Sequence, residues 1–275
     1  MQVAYFKMHG TGNKIVVVDQ RKEDLLPPVT SRLRELGDEA RGPGFDQLMW
    51  VSRSENPLFA ASYRVFNADG SEVEQCGNGV RCVARILAKE PQHTNAFTLG
   101  GPAGPVSVRV EKDVVSVTMG CPEFEPARIP FVAEQASLRY ALQVDDQVLE
   151  IQAVSMGNPH CVLQVADVVA APVSDLGPRI EHHERFPEKA NVGFMKIRDR
   201  ANIELRVHER GVGETLACGT GACAAVVSGQ KLGLLDAGVN VKLPGGQVVV
   251  SWAGATEPVW LTGNAELISE GTLDL

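Results

Sequence analysis

One short pattern occurs twice in this chain and limits the folds that it can adopt. A strand-like run leads through a polar loop to Cys-Gly-x-Gly, and a segment rich in alanine and valine follows. The copies contain Cys76 and Cys218, which lie 142 residues apart, close to half of the 275-residue length. This spacing indicates a duplicated domain, in which each copy delivers one cysteine from the same place in its fold. The boundary is predicted near residues 120–122, where Cys-Pro-Glu-Phe-Glu-Pro interrupts the strand pattern.

The remaining pattern is typical of a strand-rich protein with a few helices. Short valine-rich runs lie between glycine and proline turn signals, and predict strands at 15–18, 106–110, 114–119, 152–155, 203–207 and 248–252. Helical periodicity is confined to 31–40, 78–88, 174–184 and 221–232. The mixture predicts an α+β protein.

Charge and hydropathy exclude several function classes. There are 26 basic and 34 acidic residues and no run of lysine and arginine, which argues against a nucleic-acid partner. No apolar run approaches the ~18 residues of a membrane helix, and the first residues lack the pattern of a signal peptide. We expect a cytoplasmic protein without a membrane partner.

The six cysteines are too sparse for a disulfide scaffold in a chain of this length, and we expect them to be reduced. Their spacing does not fit a zinc site, so no metal is expected. Cys82 and Cys223 fall inside predicted helices and are interpreted as core packing. Cys121 and Cys161 are isolated in strand-like surroundings, and packing is the simpler interpretation there too.

A cysteine immediately before a helix lies where its chemistry can change. The first helical turn presents backbone N–H groups and the positive end of the helix dipole, which favour a thiolate or bind a carboxylate. The pKa of such a thiol can fall well below its free value of ~8.5. One Cys-Gly-x-Gly is equally compatible with a buried thiol beside a tight turn, but two matched copies favour chemistry.

Two thiols that face each other across a cleft between related domains suit inversion at a carbon atom. One thiol removes a proton from one face, and the other delivers a proton to the opposite face. Without a pyridoxal cofactor, the carbon acid is acidified by binding its carboxylate at the two helix N-termini, where developing negative charge is stabilised. The pattern therefore predicts a racemase or epimerase.

Several further blocks accompany the two cysteine motifs, and together they closely resemble the diaminopimelate epimerase family. They are residues 7–13 (Lys-Met-His-Gly-Thr-Gly-Asn), 44–47 (Gly-Phe-Asp-Gln), 155–161 (Ser-Met-Gly-Asn-Pro-His-Cys), 191–194 (Asn-Val-Gly-Phe) and 244–246 (Pro-Gly-Gly). The resemblance runs over the whole chain. It implies interconversion of LL- and meso-diaminopimelate on the route to lysine and peptidoglycan, without pyridoxal phosphate or metal, by a homodimer.

The resemblance also implies the fold and the site. Two pseudosymmetric α/β domains, residues 1–120 with 263–275 and residues 121–262, would enclose the active site in the cleft between them. Cys76 and Cys218 would be the acid/base pair, and His160 and Glu209 would adjust the pKa values of these thiols. Substrate would contact the remaining candidates, which are Asn13, Gln47, Asn67, Gly77, Asn78, Asn158, Asn191, Glu209, Arg210, Gly219 and Thr220.

This inventory fits a doubly zwitterionic substrate. Amide groups and the guanidinium fork of Arg210 can hold the distal carboxylate, and Glu209 offers a counter-charge for an ammonium group. Local sequence alone leaves other interpretations open: Asn67 and Asn158 could be turn residues, and His160 a satisfied strand-end histidine. His208 is interpreted as a surface or packing group.

One position departs from the family pattern. Lys14-Ile15 follows Asn13 where Asp-Phe is usual, which reverses a charge beside a candidate substrate contact. Two rivals remain. A proline or hydroxyproline racemase-like enzyme would share the paired cysteines, and a non-catalytic amino-acid-binding or thiol redox module would share the scaffold. Arg210 and the asparagines argue against the first rival, because a compact apolar ring gives them no distal carboxylate to bind.

Overall fold

The protein was studied as a computed structural model that describes residues 2–23, 25–93 and 95–275. The chain forms two compact units, Met1–Thr118 with Thr262–Leu275, and Met119–Leu261. Both units combine strands with two α-helices each, so the predicted α+β class is confirmed. None of the helices in the described ranges has the length and apolarity of a membrane span.

The first unit contains helices α1 (Thr30–Gly37) and α2 (Gly77–Leu87). Its strands are β1 (Gln2–Gly10), β2 (Asn13–Asp19), β3 (Gln47–Ser52), β4 (Ala61–Asn67), β5 (Glu72–Val73), β6 (Ala96–Gly101), β7 (Gly104–Glu111), β8 (Val114–Thr118) and β18 (Glu266–Asp274). The second unit contains α3 (Val173–Glu181) and α4 (Gly219–Lys231). Its strands are β9 (Tyr140–Val144), β10 (Gln147–Ser155), β11 (Pro159–Gln164), β12 (Asn191–Asp199), β13 (Asn202–Glu209), β14 (Gly213–Thr215), β15 (Gly238–Leu243) and β16 (Gly246–Ser251), and β17 (Trp260–Asn264) leads back to the first unit.

The two units share one strand plan. In the first, β1 pairs antiparallel with β2, β2 parallel with β3, and β3 antiparallel with β4, which pairs antiparallel with β5 and parallel with β6. Strands β10 to β15 repeat these pairings and directions in order. Helices α1 and α3 fall at the same place in this plan, as do α2 and α4. The repeated cysteine motif thus belongs to a repeat of the whole domain.

The end of the chain completes this correspondence. Strand β10 has a second antiparallel partner in β9, which directly precedes it in sequence. The second antiparallel partner of β1 is instead β18, which comes from much later in the sequence. The two strands take the same place in their units but come from opposite directions along the chain.

The predictions for α2 and α4 agree with the observed bounds to within two residues, whereas α1 ends at Gly37 rather than near residue 40 and α3 ends at Glu181 rather than near residue 184. The chain turns back over the end of α1, and the amides of Gly44 and Phe45 donate to the carbonyls of Leu36 and Gly37. These bonds satisfy terminal carbonyls that a longer helix would have used itself. Helical periodicity alone gave no sign of this local competition.

Each unit has its own hydrophobic core. Val16, Leu33, Leu48 and Trp50 are fully or almost fully buried in the core of the first unit. The core of the second unit is built from aliphatic residues with Phe131, Phe186 and Phe194. Helix α4 lies deep in this unit, because small alanines along it allow close approach to its neighbours.

Candidate active site

Each cysteine of the repeated motif is the N-cap residue of a helix. Cys76 precedes α2 in an extended conformation, and its Sγ accepts a hydrogen bond of 3.3 Å from the Gly79 amide. Cys218 precedes α4 in the same way and accepts from the Gly221 amide at 3.4 Å. A sulfur atom therefore replaces the usual capping oxygen at both helix starts.

The glycines of the motif let each helix begin close against the sheet. A Cβ at Gly79 would lie 2.3 Å from Sδ of Met49, and one at Gly221 would lie 2.9 Å from a methyl group of Val207. The N-terminus of an α-helix presents backbone N–H groups and the positive end of the helix dipole, so both helix starts can receive a carboxylate. The first helical residues are the predicted Gly77, Asn78, Gly219 and Thr220.

In the first unit, the predicted amides form a connected group around Cys76. The Cys76 thiol lies 3.8 Å from Oε1 of Gln47, to which it can donate. Gln47 Nε2 donates to Asn67 Oδ1 at 3.3 Å, and Asn67 Nδ2 donates to Ser71 at 3.1 Å. Cross-strand pairing explains this proximity, because Gln47 and Asn67 lie opposite each other in β3 and β4.

A second chain of hydrogen bonds leads away from the start of α2. Asn78 Nδ2 donates to Asn13 Oδ1 at 3.3 Å, and Asn13 Nδ2 donates to Asp46 Oδ2 at 2.9 Å. Asp46 also accepts from the Lys14 amide at 2.7 Å. The sequence motif contained Asp46, but sequence reasoning gave it no role. It fixes the turn that presents Asn13.

In the second unit, the equivalent strand positions bear other candidates. The register of β12 and β13 ends with Val192 opposite His208, so the next residues outward, Asn191 and Glu209, correspond to the paired Gln47 and Asn67 of β3 and β4. Asn191 is buried; its Oδ1 accepts from the Arg210 amide at 3.0 Å, and its Nδ2 donates to the Pro159 carbonyl at 3.1 Å. Asn191 therefore anchors two main-chain segments of the second unit, at Pro159 and at Arg210.

The environment of Cys218 differs from the one expected at a helix N-terminus. Cys218 is 3% exposed. Burial, and after it the carboxylate of Glu209, raise the pKa of Cys218 well above its usual range, and hydrogen bonds from Thr220 and the Gly221 amide offset this only in part. The expectation of a lowered pKa is therefore wrong for Cys218 in this state. Cys218 is therefore a thiol at neutral pH. Glu209 contributes to this because a nearby negative charge disfavours the thiolate and so raises the pKa of Cys218.

His160 lies among the candidates of the second unit and is fully buried. Its Nε2 lies 3.0 Å from Oδ1 of Asn158, and its strand neighbour is Asn191. Burial, with the positive charge of Arg210 as a second cause, lowers the pKa of His160 to about 3. The imidazole is therefore neutral under physiological conditions, and it orients Asn158 by hydrogen bonding.

The departure at residues 14 and 15 leaves these contacts intact. The Lys14 side chain is exposed, and its Nζ lies 2.6 Å from Glu39. Ile15 is fully buried in β2. The reversed charge is thus balanced by Glu39, while the Lys14 backbone shares Asp46 with Asn13.

Sequence reasoning missed a buried hydrogen-bonded pair that supports the Glu209–Arg210 turn. His208 Nε2 lies 2.8 Å from Glu181 Oε2, and both residues are buried. Glu181 Oε1 accepts from the Gly211 amide at 2.9 Å. The interpretation of His208 as a surface or packing group is therefore incomplete, because α3 and β13 meet through this pair.

We expect the Glu181 carboxylate to make stability depend on pH. Burial alone would raise its pKa, but the hydrogen bonds from His208 and Gly211 outweigh burial and lower it. The stabilisation is therefore complete above the ordinary carboxyl pKa of ~4.3 and is lost as the pH falls through the lowered value. Glu181→Gln should cost about 1–3 kcal/mol of unfolding free energy at pH 7. Urea unfolding of both proteins should show this difference shrinking in acid; a difference that grows below pH ~4 would contradict it.

Of the four remaining cysteines, the two that were predicted to lie inside helices are packing groups. Cys82 and Cys223 are fully buried, as predicted, and burial raises the pKa of Cys82 to about 12. Cys161 is buried in β11 and fits its interpretation as a packing group, whereas that interpretation is wrong for Cys121, which is exposed. In the described ranges, no group of three or more histidine, cysteine or acidic side chains is arranged to hold a metal ion.

Comparison of the sequence with known proteins shows the family to which the chain belongs. The family model described as diaminopimelate epimerase matches residues 5–125 and 152–268. The diaminopimelate epimerase of Nitrosomonas europaea is 50% identical over 279 residues and that of Ectopseudomonas mendocina 47% over 278, each alignment covering 100% of both chains. The chain belongs to the diaminopimelate epimerase family. The family resemblance seen in the sequence is confirmed, and the protein is an isomerase.

Solved structures confirm the predicted fold. A hydroxyproline epimerase from Agrobacterium vitis, solved with bound trans-4-hydroxy-L-proline, superposes with a TM-score of 0.73 over 99% of this chain and 91% of that one, at 15% identity. A phenazine biosynthesis protein of the PhzF family from Bacillus anthracis gives a TM-score of 0.69 at 16% identity, with 100% of both chains covered. This chain thus shares its fold with proteins of distant sequence, and at these identities the likeness extends to the fold alone.

Proposed function

We propose that the protein interconverts LL- and meso-diaminopimelate by proton transfer between Cys76, Cys218 and the α-carbon. The observation that carries this proposal is the repeated N-cap cysteine, because each unit offers a thiol beside helix N–H groups that can bind a carboxylate. The full-length identity of 50% with a diaminopimelate epimerase supports the substrate.

The raised pKa of Cys218 suggests how the two thiols divide their tasks in the unliganded protein. We assign the acid role to the protonated Cys218 and the base role, as a thiolate, to Cys76 for the substrate epimer that binds this state. Cys76 takes the α-proton, the electron pair of the C–H bond passes towards the carboxylate, and Cys218 gives its proton to the opposite face. After turnover Cys76 is a thiol and Cys218 a thiolate, which is the state required for the reverse reaction. Glu209 favours the return of a proton to Cys218.

The reacting carboxylate would bind at the helix starts. The N–H groups of Gly77, Asn78, Gly219 and Thr220 are the donors, and they oppose the negative charge that grows when the carbon is deprotonated. This stabilisation increases in the transition state, so it lowers the barrier as well as binding the substrate. No cofactor or metal has a part in this scheme.

The end of the substrate that does not react would be held by polar side chains from both units. We assign Asn13, Gln47, Asn67, Asn158 and Asn191 to this pocket, with Arg210 for the distal carboxylate and Glu209 beside the ammonium groups. Arg210 is exposed and its Nη1 donates to the Glu188 carbonyl at 3.0 Å, which leaves other guanidinium N–H groups for a ligand. We further propose a cytoplasmic homodimer that acts in lysine and peptidoglycan precursor synthesis and has no nucleic-acid or membrane partner.

One assay separates this proposal from its rivals. The purified protein is incubated under reducing conditions with LL-diaminopimelate and, separately, with L-proline, and the stereoisomers are resolved by chiral chromatography. We expect meso-diaminopimelate and no D-proline. Conversion of proline alone would favour a proline racemase-like enzyme, and conversion of neither would favour an amino-acid-binding or redox module.

A further inference from the structure

Arg81 is a fully buried cation on α2, three residues after Asn78. It is among the largest fully buried side chains in the described part of the protein. Its Nη2 donates to Asn78 Oδ1 at 2.9 Å and to Thr11 Oγ1 at 3.1 Å, and its Nε donates to the Asn264 carbonyl at 3.4 Å. All these groups belong to the first unit. Arg81 therefore connects the start of the helix to the turn between β1 and β2.

The chemistry of the guanidinium determines how the neighbouring amides are oriented. Arginine can donate but cannot accept, so Asn78 must turn its oxygen towards Arg81 and its nitrogen towards Asn13. Asn13 then presents Oδ1 to Asn78 and Nδ2 to the carboxylate of Asp46. The direction of every hydrogen bond in this series follows from the groups at its two ends. Arg81 can donate but not accept, and the carboxylate of Asp46 can accept but not donate.

The turn that Arg81 contacts is strained. Thr11 is a buried β-branched residue with φ at +57°, a conformation that such residues rarely adopt. Its hydroxyl accepts from Arg81, and the next two residues are Gly12 and Asn13. Arg81 thus holds both a candidate substrate contact and the turn that presents another.

The surrounding strands leave room for this side chain. A Cβ at Gly10 would lie 3.2 Å from Arg81 Nη2, and one at Gly263 would lie 3.3 Å from Arg81 Cζ. The fold itself does not need a cation here, because Cys223 occupies the equivalent position of α4 in the other unit. The guanidinium is a property of the Cys76 half of the duplicated protein.

We infer that Arg81 is a positioning residue for the reaction, which fixes the amides of Asn78 and Asn13 in the orientation that receives the substrate. The inference rests on the proposed function, because it assigns Arg81 a role in binding diaminopimelate. Its structural part, the fixed orientation of the two amides, is testable without substrate.

The first experiment measures steady-state kinetics of Arg81→Met and Arg81→Lys with LL-diaminopimelate. Loss of hydrogen bonds from a charged donor should raise KM for Arg81→Met about 10- to 100-fold, with a smaller change in kcat. Arg81→Lys should recover part of the loss, because an ammonium group can still donate to Asn78. Cys223→Ala, at the equivalent buried position of α4, is the matched control and should leave KM unchanged. A folded Arg81→Met protein with wild-type KM would overturn the inference. So would an activity loss that equals the loss of folded enzyme, with wild-type kinetic constants for the enzyme that remains folded.

A second variant displaces the guanidinium without removing it. Gly263→Ala brings a methyl group to 3.3 Å from Arg81 Cζ, which requires a shift of a few tenths of an ångström. KM should rise several-fold, whereas Gly238→Ala, where the added atom meets ordinary contact at 3.7 Å, should have no effect. An unchanged KM in Gly263→Ala would count against the inference even if the Arg81 variants failed to fold.

Side-chain amide NMR signals of Asn13 and Asn78 supply a readout that needs no activity. In Gly263→Ala and in any folded Arg81 variant, we expect these signals to shift and to exchange faster with solvent, while Cys223→Ala leaves them as in the wild type. Unperturbed amide signals would refute the positioning role. If the signals respond as expected but the wild-type protein does not epimerise diaminopimelate, the proposed function fails and the structural part of the inference stands.

Discussion

Replacing either N-cap cysteine with serine should reduce kcat/KM for diaminopimelate by about 10³-fold or more, within the range attributed to general acid–base groups. Serine can still cap the helix through its hydroxyl, so the bonds from Gly79 to Cys76 and from Gly221 to Cys218 have a replacement. A hydroxyl is a far weaker acid than a thiol, and the proton relay therefore loses one of its two members. Both directions should fail in both variants, because each direction needs a base and an acid.

The matched control for these variants is Cys121→Ser. Cys121 is exposed and lies outside the helix N-termini, so its loss should leave the rate unchanged. Circular dichroism and thermal unfolding would show whether the variants remain folded. Substantial epimerase activity in a folded Cys76→Ser or Cys218→Ser protein would contradict the two-thiol assignment.

The second large effect is expected at Arg210. Once a bound substrate excludes water from this side chain, loss of its guanidinium leaves the distal carboxylate without its bidentate partner. Arg210→Met should therefore cost about 2–5 kcal/mol of transition-state stabilisation, measured as the ratio of kcat/KM values. Arg210→Lys should rescue poorly, since an ammonium group cannot reproduce the planar fork.

Arg200→Met is the matched control for this prediction. Arg200 is an exposed arginine of the same unit that pairs with Asp236 at 2.7 Å, and surface pairs of this kind contribute little. Near-normal turnover and affinity in Arg210→Met would show that the distal carboxylate is bound elsewhere.

Much of the fold could be predicted because the signals are local and repeated. The two Cys-Gly-x-Gly motifs marked the starts of α2 and α4, and the valine-rich runs marked the strands around them. The part played by the final strand could not be found in this way. Strand β18 takes its place beside β1 because the plan of the first unit is completed from the far end of the chain, and a local pattern contains no such information.

The candidate site was predictable as a set of residues but not as a network. Asp46, Arg81 and Glu181 each bind a partner that is distant in sequence, namely Asn13, Thr11 and Gly211, at positions where local patterns predict only a turn or a helix. The pKa of Cys218 is a similar case. A helix N-terminus lowers a thiol pKa, but the depth of burial and the approach of Glu209 become visible only in the structure, and they have the larger effect.

The transfer of hydrogen in deuterated water tests the central claim most directly. A thiol has one exchangeable proton, and the thiol that delivers it to the product is not the one that took the substrate's proton. During the first turnovers, meso-diaminopimelate formed from the LL isomer should therefore contain solvent deuterium at the inverted carbon, while the unreacted LL isomer remains largely protonated. Mass spectrometry of the separated isomers measures both. Early product that retains much of the substrate's own hydrogen would show that a single base acts on both faces, and would contradict a mechanism that uses Cys76 and Cys218 together.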